Sequence, residues 1–102
     1  MDIVSDGSTL VLRGDFDVRS TSEVRNAVYD LLDRHDGHVT IDITQVDTVD
    51  VTALKVLAVA SRFAHRDGRR IVLRGACPAV RRMLHLSHLI RFVELEREAI
   101  PA

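Results

Sequence analysis

One cysteine, two prolines, no tryptophan and an aromatic content of 4% deny this sequence several classes of function. The lone Cys77 cannot close an internal disulfide, and no signal-peptide pattern opens the chain, so a protein of the reducing cytoplasm is expected. Phe16, Tyr29, Phe63 and Phe92 are too few and too scattered to form a stacking platform for single-stranded nucleic acid or sugar rings. No apolar run approaches the roughly 18 residues that span a bilayer, so any membrane role would come through a partner. The glycines fall in no GxGxxG, P-loop or GxSxG pattern, which leaves phosphate-cradling loops and the hydrolase elbow without their residues. No cofactor is expected.

What is present is enough for one folded unit. A chain of 102 residues, 46% hydrophobic, has the size of an ordinary domain, and residues 1–102 are read as one. At this length roughly two thirds of the unfolded surface can be buried, so no metal or disulfide staple is needed. The net charge of −1 conceals a bipolar chain: residues 1–51 carry 11 acidic and 4 basic side chains, and residues 52–102 carry 4 and 10. The basic half invites a nucleic-acid reading, but its arginines spread over two helices and a strand without forming one stripe. Direct nucleic-acid binding is therefore not expected.

Periodicity divides the chain into the order ββαβαβαβ. Met1–Val4 and Thr9–Arg13 read as a hairpin closed by Asp6-Gly7, a pair that accepts the positive φ of tight turns. Ser20-Thr21-Ser22-Glu23 has the form of a capping box and opens a helix with apolar residues at 24, 27, 28, 31 and 32, ending near His35. Val39, Ile41 and Ile43 alternate with Thr40, Asp42 and Thr44, as in a strand with one buried and one wetter face. Asp50 precedes a second helix with Ala53, Leu54, Leu57, Ala58, Ser61 and Ala64 inward, stopped by Asp67-Gly68. A strand over Arg70–Arg74 follows, then a helix opened by Cys77-Pro78 with Val80, Met83 and Leu84 inward, then a last strand over Arg91–Leu95 and a frayed tail. Strands alternating with helices imply right-handed crossovers and a largely parallel sheet. Its functional edge, where strands end and helices begin, would collect Gly14–Asp17 and Asp47–Thr52.

Chemistry narrows to few residues. The pairs His35/His38 and His85/His88 lack a third ligand in a metal-binding motif and are read as polar surface residues. Cys77 is read as a plain helix-start residue. Asp50-Val51-Thr52-Ala53-Leu54 is more informative. With Asp50 as the N-cap, Thr52 stands in the first turn with its hydroxyl near the surface, a pattern that a simply capped helix also explains. A phosphate there would meet free N–H groups and the positive end of the helix dipole. It would also add about −1.5 to −2 charges beside Asp50, Asp47 and Asp17, enough to expel a docked partner.

Taken together these segments resemble the bacterial anti-sigma-factor antagonists, the stand-alone STAS domains. Leu12-Arg13-Gly14-Asp15-Phe16-Asp17 is similar to the family's early strand motif, and Ile41-Asp42-Ile43 followed by Asp50–Leu54 to its aliphatic strand and Asp-Ser-Ser-Gly-Leu. Gly68, Ile71-Val72-Leu73 and Cys77–Leu84 fall where the family has a glycine, a strand and a Pro-x-Val helix. The resemblance implies a SpoIIAA-like fold, an open, mostly parallel sheet of about five strands with helices mainly on one face. It implies a partner switch: the unmodified protein binds an anti-sigma factor, often a GHKL-type serine kinase, and frees a sigma factor. Phosphorylation ends that binding, and a phosphatase has a place in such a cycle. The acceptor position falls on Thr52, and the acidic positions beside it on Asp17 and Asp50. Val51, Leu54 and Lys55 are the further candidate contacts. Val51 stands in place of the first serine and Ala53 in place of the glycine, and other members serve inside signalling complexes or as small subunits of lipid-transport ABC complexes.

An enzyme using Thr52 as nucleophile would need a base. Aspartates near a pKa of about 3.9 serve a threonine hydroxyl poorly, and no histidine lies in either rim segment. A binding protein is expected, not an enzyme.

Overall fold

The computed structural model describes residues 1–96. The expected fraying of the tail falls largely on residues 97–102, outside the described residues. Strands β1 (Asp2–Asp6) and β2 (Thr9–Phe16) form the antiparallel hairpin, with Gly7 at φ +60° in its turn. They are followed by α1 (Thr21–Arg34), β3 (Val39–Val49), α2 (Val51–Arg66), β4 (Ile71–Arg74) and α3 (Pro78–Leu86). A 3-10 turn (Leu89–Phe92) and the two-residue β5 (Glu94–Leu95) complete the described chain.

The sheet order is β1-β2-β3-β4-β5, with β2 to β5 parallel throughout. Each crossover steps one strand in the same direction. Because such connections are right-handed, α1, α2 and α3 come to one face. Leu12, Phe16, Ile41 and Leu73 from the strands and Val28, Leu31, Leu54 and Leu57 from the helices fill the core between these layers. The alternation read at 39–43 is present. Thr40 breaks its simplest form: it is only 6% exposed, paired in register with Val72 and flanked by Arg70, Glu94 and Glu96 on the open face.

Four expectations need correction. Ser20 precedes α1 but makes no side-chain cap; its hydroxyl donates towards the carbonyls of Asp15 and Asp17 and accepts from the Asp17 N–H, all at 3.1 Å. The hydroxyl serves the incoming loop, so the capping box does not form. The hairpin strands run on to Asp6 and Phe16, beyond the expected Val4 and Arg13. Strand β3 also continues to Val49, taking in Asp47-Thr48-Val49, which were expected in the rim. Two register shifts, between Val11 and Arg13 and between Gly14 and Asp15 of β2, insert extra β3 residues and disrupt the alternation that reveals a strand. Finally, Arg91–Leu95 is not one strand: Arg91 and Phe92 belong to the 3-10 turn, and only Glu94 and Leu95 pair with β4.

Candidate functional site

Helix α2 starts where three segments converge. Asp50 has extended backbone angles, its carbonyl accepts the first helical bond from Leu54 at 3.2 Å, and its Oδ1 accepts from the Ala53 N–H at 2.8 Å. This is an aspartate N-cap. Its own N–H donates to the Phe16 carbonyl at 3.3 Å, and its Oδ2 accepts from the Val18 N–H at 3.2 Å. One carboxylate thus starts α2 and holds the loop after β2 against it.

The first turn then sorts its residues by helical spacing. Ala53 and Leu54 are buried, whereas Val51, Thr52 and Lys55 are exposed and lie on one outer face. The Thr52 hydroxyl is open to an incoming group. Leu54 is corrected: at 0% exposure it is a core side chain and cannot touch a partner. Of the expected contact residues, Asp17, Asp50, Val51, Thr52 and Lys55 remain at or near the surface.

Asp17 is already partnered within the chain. Its carboxylate accepts from the Arg19 guanidinium at 2.7 and 3.2 Å and from the Arg19 N–H at 2.9 Å. The side-chain bond to Arg19 foremost, then the backbone bond, holds this carboxyl below the usual carboxylate range and raises Arg19 in turn. Asp15 accepts from the Thr48 hydroxyl at 2.7 Å, which ties the ends of β2 and β3.

The acidic rim is therefore not a ring around Thr52. Asp15, Asp17 and Asp47 line an open cleft of about 690 Å³ together with Arg13, Arg19 and Glu23, and neither Asp50 nor Thr52 is part of its lining. Next to Thr52 in the chain, Val51 instead lines an apolar groove of about 410 Å³ with Ala79, Met83 and Leu86 of α3. Val51 is 37% exposed and Leu86 is 75% exposed. The inward residues of α3 include one that lines this groove, Met83, which is partly buried against the core; Ala79 and Leu86 extend the apolar surface beyond the buried Val80 and Leu84.

Among the described residues no cluster of His, Cys, Asp and Glu could hold a metal ion, and no helix is long and apolar enough to cross a membrane. Cys77 is exposed and precedes α3 without a side-chain cap. What the arrangement offers is a surface: an exposed hydroxyl at a helix start, a lysine one turn on, an apolar groove to one side and an acidic cleft formed by the neighbouring loop.

Comparison with known proteins agrees with this architecture. A family model described as "Mlab, STAS domain" matches residues 1–94. The chain belongs to this family of STAS domains. No curated protein matches the sequence. Among solved structures, a Thermotoga maritima protein assigned as an anti-sigma factor antagonist superposes with a TM-score of 0.76 at 17% identity, covering 95% of this chain and 86% of its own. The anti-sigma factor antagonist SpoIIAA of Bacillus, in its unphosphorylated form, gives 0.69 at 12% identity over 96% and 88% of the two chains, and a phosphorylated form of SpoIIAA is also similar. A sulfate transporter family protein from Wolinella succinogenes gives 0.63 at 16% identity over 86% and 73%. At these identities the likeness establishes the SpoIIAA-like fold.

Proposed function

We propose that this protein is an anti-sigma-factor antagonist: a non-enzymatic cytoplasmic binding domain that captures an anti-sigma factor of the GHKL-type kinase class and so releases a sigma factor. The observation that carries this reading is the exposed Thr52 in the first turn of α2, behind the Asp50 cap and beside the groove of Val51, Ala79, Met83 and Leu86. The groove supplies apolar area for docking, with Arg82 and Ser87 as the polar residues of its lining, and Asp17, Asp50, Thr52 and Lys55 are the polar candidate contacts outside it. Phosphorylation of Thr52 is the proposed off-signal. The N-terminal dipole of α2 tolerates the added charge locally, while a partner seated over Val51 meets a doubly charged group where it met a hydroxyl. A phosphatase would restore binding.

A second reading is a scaffold subunit of a signalling or lipid-transport ABC complex with Thr52 unmodified. Val51 and Ala53, which make the helix start bulkier and leave it one hydroxyl short of the family pattern, favour it, as does the similarity to a sulfate transporter family protein. Affinity capture of the tagged protein from its own cells, with mass spectrometry of the partners and of the Thr52 peptide, separates the two. A GHKL-type kinase with a phosphorylated Thr52 pool is the expected result, and transporter subunits with unmodified Thr52 would overturn it.

A further inference from the structure

At the far end of α2 the surface turns basic. Arg62, His65 and Arg66 from the last turns of the helix, Arg69 and Arg70 from the approach to β4, and Arg91 from the 3-10 turn line one concavity of about 380 Å³. The acidic member of the lining is Glu94, and its carboxylate is engaged by Arg70 at 2.9 Å. Arg66 lies 14 residues beyond Thr52, roughly 21 Å along the helix, so this cavity stands apart from the proposed partner face.

Ordinary structural roles explain part of the cluster. Arg69 donates to the carbonyls of Leu32 at 2.6 Å and Gly37 at 3.3 Å, and to that of His35, fastening the end of α1 to the start of β4. His65 and Arg66 complement the negative end of the α2 dipole.

Three features are left over. The guanidinium carbons of Arg62 and Arg91 sit 4.9 and 5.4 Å from the centroid of the Phe92 ring, so one aromatic side chain gathers two like charges at the cavity wall. Ser61 lines the cavity at only 7% exposure, and its hydroxyl has no hydrogen-bond partner among the described residues. The Nε of Arg69 is likewise buried and unpartnered among them. Buried polar atoms are ordinarily satisfied, and two like charges held on one ring repel each other, a repulsion that an anion between them relieves.

We infer that this cavity is a binding site for a small phosphate-bearing molecule, with Arg62, Arg66 and Arg91 reading the charge. Guanidinium forks match phosphate oxygens in pairs, and the volume lies in the range of small-ligand pockets. The Phe92 ring is engaged by Arg62 and Arg91 and is not free as a platform for a base, so the ligand is recognised by its phosphate and not by stacking.

The test is calorimetric titration of the full chain with inorganic pyrophosphate at 150 mM salt, alongside vesicles containing phosphatidylglycerol. Saturable pyrophosphate binding is expected, weakened at least about tenfold in Arg62→Gln and in Arg91→Gln and unchanged in Arg25→Gln, an exposed arginine on α1. Equal weakening by Arg25→Gln, or no saturable binding at millimolar pyrophosphate, overturns the site. Vesicle binding without pyrophosphate binding also overturns it, in favour of a membrane-facing patch. Amide shift mapping on the unmodified protein guards against misfolded variants: the changes must centre on Ser61–Arg70 and Leu89–Glu94, and changes confined elsewhere refute the assignment.

Discussion

The Oδ2 atom of Asp50 accepts a hydrogen bond from the backbone N–H of Val18, 3.2 Å away and 32 residues earlier in the chain. Since Oδ1 of the same carboxylate caps α2 through Ala53, one side chain sets both the start of the helix and the position of the loop beside it. The candidate face is built on that pair of hydrogen bonds.

Asp50→Ala is therefore expected to destabilise the protein by about 1–2 kcal/mol, the usual size of a lost aspartate cap, with Asp50→Asn losing less. Urea denaturation checks the magnitude, and hydrogen exchange at Val18 and Ala53 checks the cause. Unchanged exchange at Val18 would mean that the loop is held by other contacts.

Gly75, at φ +81°, lies against Thr44, and a Cβ placed on it would clash with the threonine Oγ1 and stand 2.9 Å from its Cα. Gly75→Ala is expected to cost roughly 2–4 kcal/mol, from the left-handed backbone and the overpacking together. Thr44→Ala should not rescue it, because the clash with the main chain of residue 44 and the strained backbone angle remain. A rescued melting temperature in the double variant would contradict this explanation.

Asp17 gives a pH signature. Hydrogen bonds from Arg19 hold its carboxyl below the usual range, so the folded pKa lies under the unfolded one. The associated stability is present above the unfolded pKa and is lost as pH falls through the folded pKa. The pair is exposed, so the effect on global stability is small and is better read locally. In Arg19→Gln the Asp17 carboxyl, followed by carbon NMR, should titrate at a higher pH than in the parent. Titration at the same pH would show that Arg19 is not the cause.

Leu86 tests the groove separately from the hydroxyl. It is highly exposed, so Leu86→Ser should change stability by no more than about 0.5 kcal/mol. Under the proposed function it should weaken partner binding about tenfold, the loss typical of an apolar anchor. Binding at parental affinity in a titration would remove the groove from the interface.

How far the sequence reveals this protein depends on how regular each segment is. The second helix is legible throughout: the cap at Asp50, the inward set from Ala53 to Ala64 and the stop at Asp67-Gly68 all recur in the structure because each follows from local chemistry. The beginning of β3 is legible for the same reason, and its continuation is not, since two bulges break the alternation after Ile43. Ser20 misleads because a hydroxyl at a helix start has several nearby partners, and the loop carbonyls of Asp15 and Asp17 win. Arg69 could not have been found, as its bonds to Leu32 and Gly37 join segments more than 30 residues apart. At the candidate site, Thr52 and its cap are visible in one short motif. The groove requires knowing that α3 stands next to α2.

Under the proposed function the state of residue 52 controls partner binding. The most direct measurement is the affinity of the captured anti-sigma kinase for three forms side by side: the parent, Thr52→Val and Thr52→Glu. The parent and Thr52→Val should bind alike, and Thr52→Glu should bind at least about tenfold more weakly, a loss of roughly 1.4 kcal/mol or more. Equal affinity for all three forms would contradict a switch at Thr52.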